Sequence, residues 1–187
     1  MQQPLLIVAF LGLALSACSK PSPVSNAAPA PGAAFPTAQL IDVGAPLPME
    51  AAGIKGDWTE NGWFAGVGAP PLDGAGYGSY VAKGDAGVGS LTWAGTVPAG
   101  VTALAIPILT GPTGSAASFS VINDDTGVAI ASLSAPPPIK TWKLWRVPVP
   151  ANVTSFRLVA RDNGTAWGEW TAVGTPHVLS HGRQTQP

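Results

Sequence analysis

Few side chains in this sequence could carry out catalysis, and their positions do not favour it. The chain has one cysteine, Cys18, and two histidines, His177 and His181, which lie near its end. No Gly-x-Ser-x-Gly nucleophile elbow occurs, and no glycine cluster matches a phosphate loop or a dinucleotide fingerprint. We therefore expect no enzymatic activity, no cofactor and no bound metal, and we expect both histidines at the surface.

Two pairs of carboxylates leave glycoside hydrolysis open as a remote alternative. A glycosidase needs two carboxylates about 5–10 Å apart, one on each side of the scissile bond. Asp162 with Glu169 is one pair that is close in sequence, and Asp57 with Glu60 is the other. Short spacing along the chain is weak evidence for such a site, so binding residues carry more weight here.

Tryptophan is the most informative residue type, because the chain has 7 Trp but only 2 Tyr. We expect Trp93 and Trp167 to pack in the core. Trp142 and Trp145 are three apart in a predicted strand, so they point to opposite faces. The same parity argument applies to Trp167 and Trp170. It predicts an outward aromatic ring in each pair, and we take Trp145 and Trp170 as the candidates.

Polar side chains near these two rings could complete a binding site. A sugar packs its C–H face on an aromatic ring, while its hydroxyl groups bond to guanidinium, carboxylate and amide groups. Arg157 and Arg161 share one face of their predicted strand, so a patch is geometrically possible. The same kind of surface could dock a protein, for which Trp and Arg are common anchors. The predicted ligand-binding residues are Trp145, Arg146, Arg157, Asp162, Asn163, Glu169 and Trp170.

The elements that must position these residues are short strands. Gly and Pro number 23 and 20 and interrupt every apolar stretch, which disfavours helices. Strands are predicted at residues 89–95, 101–110, 117–123, 128–133, 140–149, 154–161 and 167–173. Residues 124–127 (DDTG) form a hairpin turn between two of them. The pattern predicts an all-β, antiparallel β-sandwich with a core of Leu104, Ile106, Ile108, Phe119, Val121, Ile130, Leu144, Phe156, Leu158 and several tryptophans.

Two segments of this pattern resemble a known superfamily. Residues 84–92 (GDAGVGSLT) and 156–168 (FRLVARDNGTAWG) resemble the galactose-binding-like β-sandwich, the jelly-roll fold of many carbohydrate-binding modules. The resemblance covers about residues 84–179 and implies a carbohydrate or glycopolymer ligand. It departs from the commoner ending of these domains, because Glu169 and Trp170 stand where a His usually follows the Trp-Gly pair.

The N-terminus resembles that of a bacterial lipoprotein. Residues 5–15 (LLIVAFLGLAL) are too short to span a bilayer, and residues 15–18 (LSAC) resemble a lipobox. The resemblance implies cleavage before Cys18, diacylglycerol on its sulfur and an acyl chain on its amine. Ser19 after the cysteine implies the outer membrane. The predicted organisation is a signal peptide (1–17), an acylated Cys with a Pro/Ala-rich tether (18–38), the sandwich (39–180) and a polar tail (181–187).

These observations predict a non-catalytic recognition domain on an envelope lipoprotein. The chain carries 10% charged residues and a net charge of −1, so nucleic acid is not an expected partner. A carbohydrate is the leading ligand class. The alternative is an accessory lipoprotein that docks onto an envelope or secretion assembly.

Overall fold

The computed structural model describes residues 41–113 and 116–181, with the side chains of 43–113 and 116–179. The predicted signal peptide, Cys18, the tether and the residues after 181 lie outside the described residues. In the part of the chain that is described, no helix is long and apolar enough to cross a membrane.

The described residues form twelve strands and very little helix. One helix, α1 (Tyr80–Lys83), and two 3-10 turns (Ala65–Val67 and Gly84–Ala86) lie between the strands. The strands are β1 (Ile41–Pro46), β2 (Gly53–Gly56), β3 (Thr59–Glu60), β4 (Gly76–Gly78), β5 (Gly89–Thr96), β6 (Ala103–Thr110), β7 (Ala117–Asn123), β8 (Ala129–Ser134), β9 (Lys143–Pro148), β10 (Ser155–Asp162), β11 (Thr171–Gly174) and β12 (His177–His181).

The strands pair into two antiparallel sheets in jelly-roll order. Neighbouring strands β4, β11, β6 and β9 form the centre of a seven-stranded sheet, which β1, β12 and β3 extend. The five-stranded sheet has the order β2-β5-β10-β7-β8. From β4 to β11 the chain alternates between the sheets except at the β7–β8 hairpin, which is the double Greek key of a jelly roll. The predicted all-β antiparallel sandwich is therefore confirmed.

The core lies between the two sheets and follows the period-2 rule. In β10, alternate residues from Phe156 to Asp162 are buried. They lie beside the buried residues of β7, the neighbouring strand with which β10 pairs. Of the predicted core residues, Leu104, Ile106, Ile108, Phe119, Val121, Phe156 and Leu158 are buried, and Ile130 packs against them. The prediction that Leu144 belongs to the core is wrong, since this side chain is 44% exposed. Trp145 and Val147 point inward from β9, so Leu144 points outward.

Two further predictions are corrected near the C-terminal end. The strand predicted at 167–173 begins only at Thr171, because residues 167–170 form a loop in which Gly168 adopts φ +76°. His177 is buried rather than at the surface. Its ring nitrogens lie 2.9 Å from the Gly44 carbonyl oxygen and 2.8 Å from that of Asp73, so contacts with two backbone groups hold the ring within the fold.

Candidate binding groove

Jelly-roll order brings four loops to one end of the sandwich. These loops connect β4 to β5, β6 to β7, β8 to β9 and β10 to β11, and each contributes side chains to one groove. The segment between β3 and β4 supplies the remaining wall. The groove encloses about 320 Å³, within the range of small-molecule sites. Its lining residues are Phe64, Val67, Tyr80, Asp85, Thr110, Pro112, Lys140, Trp167, Gly168 and Trp170.

Trp167 is the most exposed aromatic residue of the groove, with 72% of its surface accessible. It stands on the β10–β11 loop, whose backbone is held by one carboxylate: Glu169 Oε2 accepts hydrogen bonds from the N–H groups of Thr165 (3.2 Å) and Ala166 (3.0 Å). The loop is therefore ordered by contacts of its own, although the indole that it carries faces solvent.

The same loop is also fixed to its neighbours. The Gly168 carbonyl accepts a hydrogen bond from the Thr113 N–H (3.2 Å), and the Gly168 N–H donates to Asp85 Oδ1 (3.0 Å). Asp85 belongs to the β4–β5 loop and Thr113 to the β6–β7 loop, so three of the four loops are connected at Gly168. This arrangement holds the Trp167 backbone in place before any ligand binds.

Three aromatic rings of the groove lining contact one another in series, and we call them the aromatic wall. Trp170, only 5% exposed, contacts Tyr80 edge to face at 5.6 Å between ring centroids, and Tyr80 contacts Phe64 in the same way at 5.5 Å. Phe64 is 46% exposed. Behind the wall, Trp142 packs edge to face on Trp63 at 5.4 Å. This layer buries Leu109 of β6 on the outer face, and Leu179 packs with Ala103 and Ala105 further along the strand, so β6 is buried on both faces.

Asp162 connects two groove loops from beneath. It is buried, and Oδ1 accepts the Gly164 N–H (2.9 Å) while Oδ2 accepts the Ser79 hydroxyl. Burial raises the pKa of Asp162, and the hydrogen bonds from Ser79 and Gly164 partly oppose that rise. Because Ser79 precedes Tyr80 of the aromatic wall, Asp162 positions the wall rather than facing the groove.

The seven predicted binding residues do not form one surface. Trp170 lines the groove, Asp162 is the last residue of β10, and Asn163 and Glu169 belong to the β10–β11 loop. The other three are elsewhere. Trp145 points inward and lies 6.4 Å from Phe119 between ring centroids, Arg146 is on the outer face of β9, and Arg157 is on the outer face of the five-stranded sheet, where its Nε lies 2.6 Å from Asp124 Oδ1.

The prediction that Trp167 packs in the core and the prediction that Trp170 faces outward are both wrong, since Trp167 is 72% exposed and Trp170 only 5%. The parity argument holds only within a strand, and both Trp167 and Trp170 precede β11. Sequence reasoning also missed Phe64, Tyr80, Asp85 and Lys140, which are far apart in the chain. Only the jelly-roll order itself, applied to the loops at one end, could have grouped them.

Three of the four carboxylates in the two candidate pairs bind groups of the protein itself. Asp162 and Glu169 both bind backbone N–H groups of the β10–β11 loop. Asp57 forms a 3.1 Å ion pair with Lys83 and accepts the Val88 N–H at 3.0 Å. Among the residues that the structure describes, no group of three or more His, Cys, Asp or Glu could hold a metal ion.

Comparison with known proteins finds distant structural similarities. No protein-family model matches the chain, and no curated protein matches it. It is similar to the C-terminal extracellular domain of Mycobacterium tuberculosis EmbC (21% identity, TM-score 0.49), over 73% of this chain and 58% of that one, which is less than two thirds of its length.

Two smaller structures are also similar. One is the K1 cleaved adhesin domain of Lys-gingipain from Porphyromonas gingivalis W83 (14% identity, TM-score 0.49, 75% of this chain and 96% of that one). The other is TmCBM61 in complex with β-1,4-galactotriose (14% identity, TM-score 0.44, 70% and 88%). Such distant similarity transfers no ligand, so the function has to be argued from the groove.

Proposed function

We propose that the groove binds a carbohydrate and that the domain is a non-catalytic recognition module. The exposed indole of Trp167, on a loop that is already ordered, is the observation that carries this proposal. Water contact with a large apolar ring is unfavourable, so an exposed ring on a backbone that is already held in place is suited to contact a ligand. A sugar ring offers an apolar C–H face for that contact.

Polar groups at the groove suit the hydroxyl groups of such a ligand. The Asp85 carboxylate uses Oδ1 to accept the Gly168 N–H, and a carboxylate can accept several hydrogen bonds, so it has capacity for a ligand hydroxyl. Lys140 carries an exposed ammonium group with three donors, and within the described residues it has no ion-pair partner. The expected contacts are stacking on Trp167 and hydrogen bonds to Asp85 and Lys140.

Docking of a protein is the second candidate function. Val81, next to Tyr80 of the aromatic wall, is 60% exposed, and Phe64 is 46% exposed. These apolar side chains accompany the groove and suit a protein anchor as well as a sugar. In this case the chain would be an accessory lipoprotein of an envelope or secretion assembly.

A glycan array probed with residues 19–187, presented multivalently, tests the proposal. Binding to one glycan class is expected, with at least a tenfold loss of affinity in Trp167→Ala, whose circular dichroism spectrum stays that of the wild type. The matched control is Leu144→Ala, an exposed apolar residue on β9 outside the groove lining, which should bind normally. A well-folded wild type that binds no glycan, or a Trp167→Ala variant that binds fully, would contradict the proposal.

We also propose that Cys18 is acylated and anchors the domain at the cell envelope, in the outer membrane. The support is the sequence around it: the apolar run at 5–15, the LSAC tetrad and Ser19. Several acyl chains give lasting attachment, since each buried CH₂ contributes about 0.8 kcal/mol. Metabolic labelling with a clickable fatty acid should mark the wild type and fail to mark Cys18→Ser. Equal labelling of both would contradict acylation at this residue.

A further inference from the structure

Arg157 and Arg161, which the groove does not use, belong to the outer face of the five-stranded sheet. The strand register places a row of five residues across all five strands of this sheet. In order across β2, β5, β10, β7 and β8 the row is Lys55, Ser90, Arg161, Ser118 and Ser134. We call it the basic row.

The rest of this face is small and rich in hydroxyl groups. The next row across β5, β10, β7 and β8 contains Thr92, Val159, Ser120 and Ser132, so the two rows together present six Ser or Thr residues. No aromatic side chain belongs to either row. The surface is therefore flat and offers hydroxyl donors and acceptors beside two cations, a combination suited to a polar chain lying across the strands.

The basic row carries positive charge only. Lys55 and Arg161 are exposed, and neither forms an ion pair within the described residues. Of the carboxylates near the ends of the face, Asp57 pairs with Lys83 and Asp124 pairs with Arg157, while Asp125 accepts hydrogen bonds from the Thr154 and Ser155 hydroxyl groups. Asp162, the next residue of β10, points into the sandwich. The basic row is thus locally cationic on a chain whose net charge is −1.

We propose that the basic row binds a linear acidic polysaccharide, separately from the groove. Lys55 and Arg161 are two strands apart, which places their Cα atoms about 9.5 Å from each other. Successive acidic groups of one extended polymer can each meet one of these cations, and the neighbouring hydroxyl groups can bond to its sugar hydroxyls. An anionic membrane suits the face less well, because two cations contribute only about 1 kcal/mol each at a membrane surface.

Sodium alginate, a linear polyuronate, is the probe, and dextran is its neutral counterpart. In affinity electrophoresis of residues 19–187, alginate should retard the protein at low salt and dextran should not. Retardation should weaken as salt rises above about 0.1 M, since exposed charges are screened over roughly 10 Å at that ionic strength. The variant Lys55→Gln/Arg161→Gln should lose at least tenfold in alginate affinity with its fold intact.

Two controls separate this site from the groove. Lys143→Gln removes an exposed cation from β9 of the other sheet, and Trp167→Ala removes the groove platform; both should bind alginate like the wild type. Loss of alginate binding in Trp167→Ala would assign the polymer to the groove and overturn the proposal. Undiminished binding in the double variant, no binding by the wild type, or equal retention on anionic vesicles would also overturn it.

Discussion

The two outer faces of the sandwich differ in what lies over them. Part of the outer face of the seven-stranded sheet is covered by a layer in which Trp63, Leu109 and Trp170 are buried, whereas Leu144 of β9 stays exposed. The outer face of the five-stranded sheet is bare and carries mainly small polar side chains. One face therefore has an additional small core and a shaped groove, and the other has a flat surface.

The difference follows from the lengths of the connections. The segment between β3 and β4 and the β8–β9 loop are long enough to fold back over the seven-stranded sheet, where Trp142 Nε1 donates to the Gly68 carbonyl at 3.1 Å. The β7–β8 connection is a tight hairpin and covers nothing, with Gly127 at φ +70° as the predicted turn requires. Outward-facing side chains under this layer thus become core, whereas those of the five-stranded sheet stay at the surface.

The largest expected effect comes from the covered face. Trp170→Ala should lower the free energy of unfolding by about 3–5 kcal/mol, because it removes a buried ring and leaves a cavity in the outer layer. Thr92→Ala, at an outward position of the bare face, should change stability by less than about 0.5 kcal/mol. Urea denaturation of both variants measures the contrast. Similar losses would remove the distinction between the faces.

A smaller effect is expected at Gly111, under the groove. A Cβ atom there would lie 2.3 Å from the Gly168 carbonyl oxygen and 2.6 Å from Trp170 Nε1, so the β10–β11 loop must move. Gly111→Ala should cost about 1–3 kcal/mol, as overpacking usually does, and should weaken glycan binding. Gly53→Ala on β2 is the control, since its Cβ meets nothing closer than 3.4 Å. Thermal melts and the glycan array together show whether stability and binding fall in the same variant.

The dependence of stability on pH should distinguish the carboxylate under the groove from an exposed one. Burial raises the pKa of Asp162, so the folded state binds this proton more tightly than the unfolded state, whose pKa is near 3.8. Stability from this group therefore increases as the pH falls through the raised pKa. Asp162→Asn should abolish that increase in melts recorded between pH 7 and pH 4. A pH profile in Asp162→Asn that matches the wild type would show that burial does not raise the pKa of Asp162.

Asp57 should behave in the opposite sense. The Val88 N–H and Lys83 lower its pKa, so its contribution is present above pH 3.8 and is lost as the pH falls towards the lowered value. Asp57→Asn should lack this acid-dependent loss below pH 4. A variant that loses stability with acid as steeply as the wild type would exclude Asp57 as its source.

The smallest expected effect belongs to the bare face. Arg157 and Asp124 form an ion pair whose side chains are 43% and 38% exposed, so Arg157→Gln should destabilise by at most about 1 kcal/mol. Melts at low and at high salt measure the difference, which salt should reduce. A loss of several kcal/mol would mean that this face has a structural role like that of the other.

The sequence predicted the strands better than the site. The ends of long alternating strands such as β7 and β10 were predicted to within one residue, because period-2 burial shows directly in the residue pattern. The short strands β2, β3 and β4 were missed, since four residues or fewer carry no period. The groove was largely missed because Phe64, Asp85, Lys140 and Trp167 meet only through the connections between distant strands.

Trp145 and Trp167 show the physical limit of the parity argument. The rule needs both residues of a pair in one strand, but Trp142 precedes β9, and Trp145, which belongs to β9, points inward and packs on the core. In the second pair no strand exists to which the rule applies. Which ring remains exposed depends on the Glu169 and Asp85 hydrogen bonds to the loop, and these contacts have no local sequence signal.

The most direct test of the central claim is a nitrogen–proton correlation spectrum of residues 19–187, titrated with the glycan that the array selects. Each of the seven tryptophans has one indole N–H signal, and the signal that disappears in Trp167→Phe is that of Trp167. The signals of Trp167 and Trp170 should shift in a saturable way while those of Trp58 and Trp93, both buried in the main core, stay in place. A saturable titration that leaves the Trp167 signal unmoved would contradict carbohydrate binding at this groove.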